Sequence, residues 1–177
     1  MSTTAADPRR DALPDAEEAL AALAGRMRAG VAHDAAFVGI YSGGAWLAER
    51  LAALVPGDHP VGFIDVSFYR DDYASKGLKA GARRSDLPFD VAGATIVLID
   101  DVLYTGRSTR AAINELFDYG RPAAIELAVL VDRGGRELPI EPTYVGARVA
   151  CARDLSIVLA RDASGRFSLG TRPVEAA

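Results

Sequence analysis

Asp100 and Asp101 stand side by side in "IVLIDDVLYTGRST" (96–109), behind four aliphatic residues and ahead of a short stretch rich in hydroxyls. Adjacent carboxylates at the end of a buried strand can accept from hydroxyl donors or hold a divalent cation. The residues that follow, Thr105, Gly106, Arg107, Ser108 and Thr109, are those an anion site needs. They supply hydroxyl donors and a glycine that lets backbone N–H groups come close. Where such a turn opens a helix, the unsatisfied N–H groups and partial positive charge of the helix end add to it. Two carboxylates would repel a neighbouring phosphate unless they hold something else. The 2′- and 3′-hydroxyls of a ribose suit them, and a magnesium ion would relieve the remaining repulsion. The run therefore predicts a sugar grip beside a phosphate cradle.

Plainer readings compete. Any one of these residues could simply cap a helix. An acidic strand end also occurs in nucleotide hydrolases, but their G-x-x-x-x-G-K-[ST] loop is missing here. A phosphoaccepting receiver would use an acidic pair for magnesium, and it would leave the hydroxyl-rich turn idle.

The elements that must position this run alternate between strand and helix signals. "DAEEALAALAGRMRAG" (15–30) has acids early, arginines late and a closing glycine, which predicts a helix. "AAFVGI" (35–40), the glycine turn "YSGG" and "AWLAERLAAL" (45–54) read as strand, turn and helix. "VGFIDVSF" (61–68), "ATIVLI" (94–99) and "AAIELAVLV" (123–131) read as strands, the last two without polar alternation, as in a parallel sheet. "RSTRAAINELFDYG" (107–120) reads as a helix, and "YVGARVAC", "LSIVLA" and "GRFSL" as short closing strands. Residues 69–90 show no apolar period and carry Arg70, Lys76, Lys79, Arg83 and Arg84, which suggests a basic lid or binding loop. The fold class is α/β, an open, mainly parallel sheet flanked by helices.

The chain's 177 residues, half of them hydrophobic, suffice for one domain with a sizeable core. We expect a loose tail over 1–14 and one domain over 15–177. A net charge of −4 argues against a protein that coats nucleic acid through its overall field. One cysteine and two histidines cannot build a thiolate–imidazole zinc site, and the lone Cys151 fits a reducing, cytoplasmic setting. No apolar stretch approaches the ~20 residues of a membrane helix.

"IVLIDDVLYTGRST" resembles the phosphoribosyl diphosphate (PRPP) signature of type I phosphoribosyltransferases. With "VSFYRDD" (66–72), "DLPFDVAGATIVLIDDVLYTGRSTRAAI" (86–113), "GRPAAIELAVLVDRGGRELPI" (120–140) and "YVG" (144–146), the likeness narrows to the PyrR family. These are pyrimidine-operon regulators that are also uracil phosphoribosyltransferases. The resemblance covers roughly residues 35–149. It implies transfer of the phosphoribosyl group from PRPP to uracil, giving UMP and diphosphate, with Mg²⁺ bound mainly through PRPP. It also implies UMP-dependent binding of an mRNA leader and a homodimer or larger assembly. Carried across, Asp100 and Asp101 would hold the ribose hydroxyls, and Thr105, Gly106, Arg107, Ser108 and Thr109 the 5′-phosphate. Ser42, Gly43 and Gly44 would form the diphosphate turn, Tyr69 and Arg70 would open a lid over the reacting centre, and Asp132 and Arg133 would face the base.

This sequence departs from the family twice. The diphosphate turn normally reads Thr-Arg-Gly, and here it is Ser42-Gly43-Gly44. Losing one oriented transition-state donor typically costs ~3–4 kcal/mol, so we expect weakened transferase activity and a gain from Gly43→Arg. The family's basic stretch in the first helix is replaced by "ALAAL" (19–23), and Glu141 and Ala147 stand where basic residues are usual, which makes RNA binding doubtful. Two alternatives stay open: a non-catalytic UMP or PRPP sensor acting through a protein partner, and a phosphoribosyltransferase for another base.

Overall fold

A computed structural model describes residues 13–67 and 84–174. Tyr69, Arg70, Lys76, Lys79, Arg83 and tail residues 1–12 lie outside the described residues. The elements are α1 (Ala16–Gly30), β1 (Ala36–Ile40), α2 (Gly43–Leu54), β2 (Val61–Ile64), β3 (Thr95–Leu103), α3 (Arg107–Tyr119), β4 (Ala124–Asp132), β5 (Tyr144–Arg148), β6 (Leu155–Arg161) and β7 (Phe167–Pro173). The first five strands form one parallel sheet in the order β2-β1-β3-β4-β5, and β6 and β7 pair antiparallel as a separate hairpin.

Alternation along the central strands sorts the core into two layers. Phe37, Val97 and Ile99 face α1 and α2, packing with Leu20, Leu23, Met27, Leu47 and Leu51. Val38, Ile96, Leu98 and Val129 face the other way, onto Ala111, Ala112 and Leu116 of α3. Parallel strands covered on both faces are apolar on both, which is why their sequences showed no alternation. Helix α1 starts where Asp15 accepts from the N–H groups of Glu17 and Glu18. Its Arg26 donates to the carbonyls of Val145 and Gly146, tying it to β5. The hairpin is fastened to α1 by Glu17, which accepts from the Phe167 N–H at 2.7 Å and from Arg50 at 2.9 Å. No described helix is long and apolar enough to cross a membrane.

Two strand expectations need correcting. The strand expected over 61–68 ends at Ile64, because Asp65 turns the chain by accepting from the Ser67 N–H at 2.8 Å. The strand expected over 94–99 runs on to Leu103, because β4 still offers partners: Asp100 pairs with Val129, Val102 with Val131 and Leu103 with Asp132. The acidic pair therefore lies inside the strand rather than after it. The described end of the expected 69–90 loop is docked: Asp86 bridges to Phe63 through two backbone hydrogen bonds, with Leu87 and Phe89 half-buried. His59, assigned nothing from sequence, is a core residue stacked on Phe37, its Nδ1 2.8 Å from the Ala35 carbonyl.

Candidate active site

The strand order reverses between β1 and β3, and ligands in open α/β sheets bind in the crevice at such a switch point. The last β1–β3 partners are Gly39 and Ile99. Beyond them Asp100 and Asp101 have β4 on one side only, and the start of α2 fills the space that β1 has left.

Ser42, Gly43 and Gly44, expected to form a tight turn before the helix, are the start of the helix itself. Ser42 is the N-cap of α2 without a side-chain cap bond, Gly43 and Gly44 are its first residues, and the Tyr41–Ser42 peptide bond is cis. A side-chain carbon at Gly43 would lie 2.7 Å from Asp101 Cγ and 2.9 Å from Asp101 Cβ, and one at Gly44 would strike the Ile99 carbonyl. Glycine at 43 is thus more than an arginine lost. It is the space in which Asp101 rests against the N-terminus of α2, where a carboxylate is favourable. Any side chain at 43, the arginine of Gly43→Arg included, requires Asp101 or the start of α2 to shift.

Both acids are otherwise held by the strand. Asp100 is 8% exposed and accepts from the Asp101 N–H, and Asp101 accepts from the Val102 N–H, each at 2.9 Å. Downstream, Gly106 takes a left-handed conformation (φ 90°) as the N-cap of α3, which carries no side-chain cap bond. The Arg107 N–H reaches Thr105 Oγ1 at 3.3 Å, and Ser108 and Thr109 complete the first helical turn. Thr109 is 2% exposed, and its hydroxyl has no hydrogen-bond partner among the described residues. A buried hydroxyl left unpaired costs about 1–3 kcal/mol, so a partner arriving there would be favoured.

The loop after β4 staples this turn in place. The Arg133 N–H donates to Leu103 O, Arg136 to Tyr104 O, and the N–H groups of Glu137 and Leu138 both to Thr105 O. Arg107 forms a 2.8 Å ion pair with Glu137. Asp132 and Arg133, expected to face a base, are largely spent internally. Burial alone would push the Asp132 carboxyl up, but hydrogen bonds from Arg136 and the Gly134 N–H, with the charges of Arg136 and Arg148, hold it below the usual carboxylate range. Arg133 is buried and donates to the carbonyls of Leu155, Cys151 and Ala152. Between the two loops opens a cleft of about 360 Å³ lined by Tyr104, residues 133–137, Cys151 and Arg153. Tyr104, Glu137 and Arg153 escaped the sequence reading. The only local signal was an aromatic residue directly before the Thr-Gly pair.

Residues 11–150 match the phosphoribosyl transferase domain family. The "Bifunctional protein PyrR" of Ralstonia nicotianae is 55% identical over 157 residues, 87% of this chain and 90% of the relative. That of Pseudomonas aeruginosa is 47% identical over 151 residues, 83% and 89% of the two chains. The chain belongs to the PyrR family of phosphoribosyltransferases. Its fold is that of solved hypoxanthine phosphoribosyltransferases. One from Staphylococcus aureus aligns with a TM-score of 0.63 at 20% identity, covering 82% of this chain and 80% of that one. A hypoxanthine-guanine enzyme from Bacillus anthracis gives 0.62 at 18%, covering 81% and 86%. At the crevice between β1 and β3, Gly43 lies against Asp101, and the 105–109 turn follows directly after β3. Arg70 lies outside the described residues.

Proposed function

We propose that this PyrR-family protein transfers the 5-phosphoribosyl group of PRPP to uracil, releasing diphosphate and forming UMP. The observation that carries the reading is the unpaired, buried Thr109 hydroxyl in the uncapped first turn of α3, two hydrogen-bonded carboxylates upstream of it. A 5′-phosphate seated on the N–H groups of 106–109 would give that hydroxyl its partner, with Thr105 and Ser108 as further donors and Arg107 as the nearby cation. Asp100 and Asp101 would accept from the ribose hydroxyls.

The reaction breaks the bond from C1′ to the diphosphate oxygen and forms one from C1′ to the base nitrogen, which loses its proton. Charge develops on the sugar and on the leaving diphosphate, so catalysis rests on oriented charges and exclusion of water. The buried carboxylate of Asp100 would steady the sugar. The N–H groups at the start of α2 would meet the diphosphate. The described residues include no group of three or more His, Cys, Asp or Glu able to hold a metal. Asp100 and Asp101 suit a magnesium ion carried by PRPP, since that ion needs only one or two carboxylates beside substrate phosphates. When bound, it would neutralise diphosphate charge next to Asp101. We expect wild-type protein with PRPP, Mg²⁺ and uracil to form UMP, and to prefer uracil over hypoxanthine and orotate. Binding of UMP without turnover would replace this reading with the sensor, and preference for another base would replace its substrate.

The regulatory half of the reading does not extend to RNA on this surface. Ala19, Leu20 and Leu23 are buried within α1. Arg136 is engaged by Asp132, Ile140 O and Tyr104 O, and Arg148 lies 3.7 Å from Asp132 and 3.8 Å from Glu141. Cations already neutralised release few counterions on binding phosphates. In a gel shift at physiological salt, a structured pyrimidine-leader RNA is expected to form no UMP-enhanced complex. A nanomolar, UMP-dependent shift would contradict this.

A further inference from the structure

Tyr104 sits between the two groups of residues assigned so far, directly before Thr105 and inside the cleft beside the phosphate turn. Its ring is held from several directions. The Arg133 guanidinium lies over one face, 4.0 Å from the ring centroid. That guanidinium is fixed in turn by bonds of 2.6 Å to Leu155 O, 3.1 Å to Cys151 O and 2.9 Å to Ala152 O. Gly135, at φ 82°, presses on the ring edge: a side-chain carbon there would lie 2.9 Å from Tyr104 Cδ2. Arg136 holds the backbone through Tyr104 O at 3.2 Å. A cation on an aromatic face and a glycine at its edge leave the ring little freedom. Its remaining surface lines a cleft in which Arg133 and Arg136 are spent on backbone carbonyls and Asp132, Glu137 is paired with Arg107, and Arg153 is exposed.

An aromatic ring fixed in advance, directly before the phosphate turn on the chain, offers a planar base a stacking surface at small entropic cost. We infer that Tyr104 is the platform on which the base of the bound nucleotide stacks, and that Gly135 and Arg133 are positioning residues that hold it there. This rests on the phosphoribosyl reading, and it adds a base-contacting residue to it. The platform acts on the base alone, so it leaves ribose 5-phosphate untouched.

Calorimetry with UMP and with ribose 5-phosphate tests it, on wild type, Tyr104→Leu, Tyr104→Phe and Gly135→Ala. Base stacking on an aromatic side chain corresponds to roughly 5- to 150-fold in affinity. Tyr104→Leu is expected to lose that much for UMP while binding ribose 5-phosphate as wild type does. Tyr104→Phe keeps the ring and should keep UMP. Gly135→Ala, on an exposed loop, should weaken UMP by shifting the ring, and it decides the matter if the leucine variant does not fold. Unchanged UMP affinity in Tyr104→Leu or Gly135→Ala overturns the inference. So does an equal loss for both ligands, or a loss in Tyr104→Phe as large as in Tyr104→Leu. Failure of the wild type to bind either ligand would instead remove the phosphoribosyl reading, and the platform with it.

Discussion

Gly43→Arg is expected to lower PRPP-dependent turnover by about 10²-fold, the usual cost of moving a site group by ~1 Å. With α2 placed as it is, the side-chain carbon alone requires Asp101 or the helix start to shift. It would stand 2.7 Å from Asp101 Cγ and 2.9 Å from Asp101 Cβ, closer than carbons pack. Asp101 cannot retreat freely, because its carboxylate is also bonded to the Val102 N–H and its backbone lies within β3. Charge argues the other way, since an arginine facing the diphosphate would aid departure of the leaving group. Sterics should win, because the added cation arrives only by displacing a carboxylate of the ribose grip. Gly43→Ala separates the two effects: it adds the carbon without the charge and should show most of the same loss. UMP affinity should fall in both variants, whereas a pure diphosphate contact would leave it unchanged. Steady-state rates at saturating Mg²⁺, with UMP titrations alongside, provide the check. A rise in turnover for Gly43→Arg would show that Asp101 yields, and that charge at this position limits the reaction.

The close contact at Gly43 shows what the sequence could and could not carry. The acidic pair and the hydroxyl turn were legible because their chemistry is local, packed into one stretch from Asp100 to Thr109. The parallel sheet was legible because strands covered on both faces leave unbroken apolar runs, as in "IVLI" and "AVLV". The contact between Gly43 and Asp101 was not, since it exists only because β3 outruns β1 and the start of α2 falls into the gap. The end of β3 was misplaced for a related reason. Hydrophobicity stops at Ile99, but the backbone ladder with β4 does not depend on side chains and continues to Leu103. Asp132 and Arg133 have partners that the sequence did not show: Arg136 pairs with the first, and carbonyls of 151–155 accept from the second.

Thr109→Val should do two things that ordinarily go against each other. In the free protein it removes a buried hydroxyl without a partner, so the variant should be as stable as wild type or more stable, by up to about 1 kcal/mol. In the complex it removes a charge-assisted hydrogen bond to phosphate, which corresponds to roughly 10- to 100-fold in affinity. Uridine has no phosphate, so its affinity should not change. A purely structural threonine would give the reverse pattern, with lower stability and both ligands weakened together. The decisive measurement is therefore the ratio of UMP to uridine affinity, by calorimetry, in wild type and in Thr109→Val. A phosphate seated in the 105–109 turn requires a large ratio in the wild type that drops by at least tenfold in the variant through UMP alone. A ratio near one in the wild type, or a ratio that Thr109→Val leaves unchanged, would mean that the turn does not hold the phosphate.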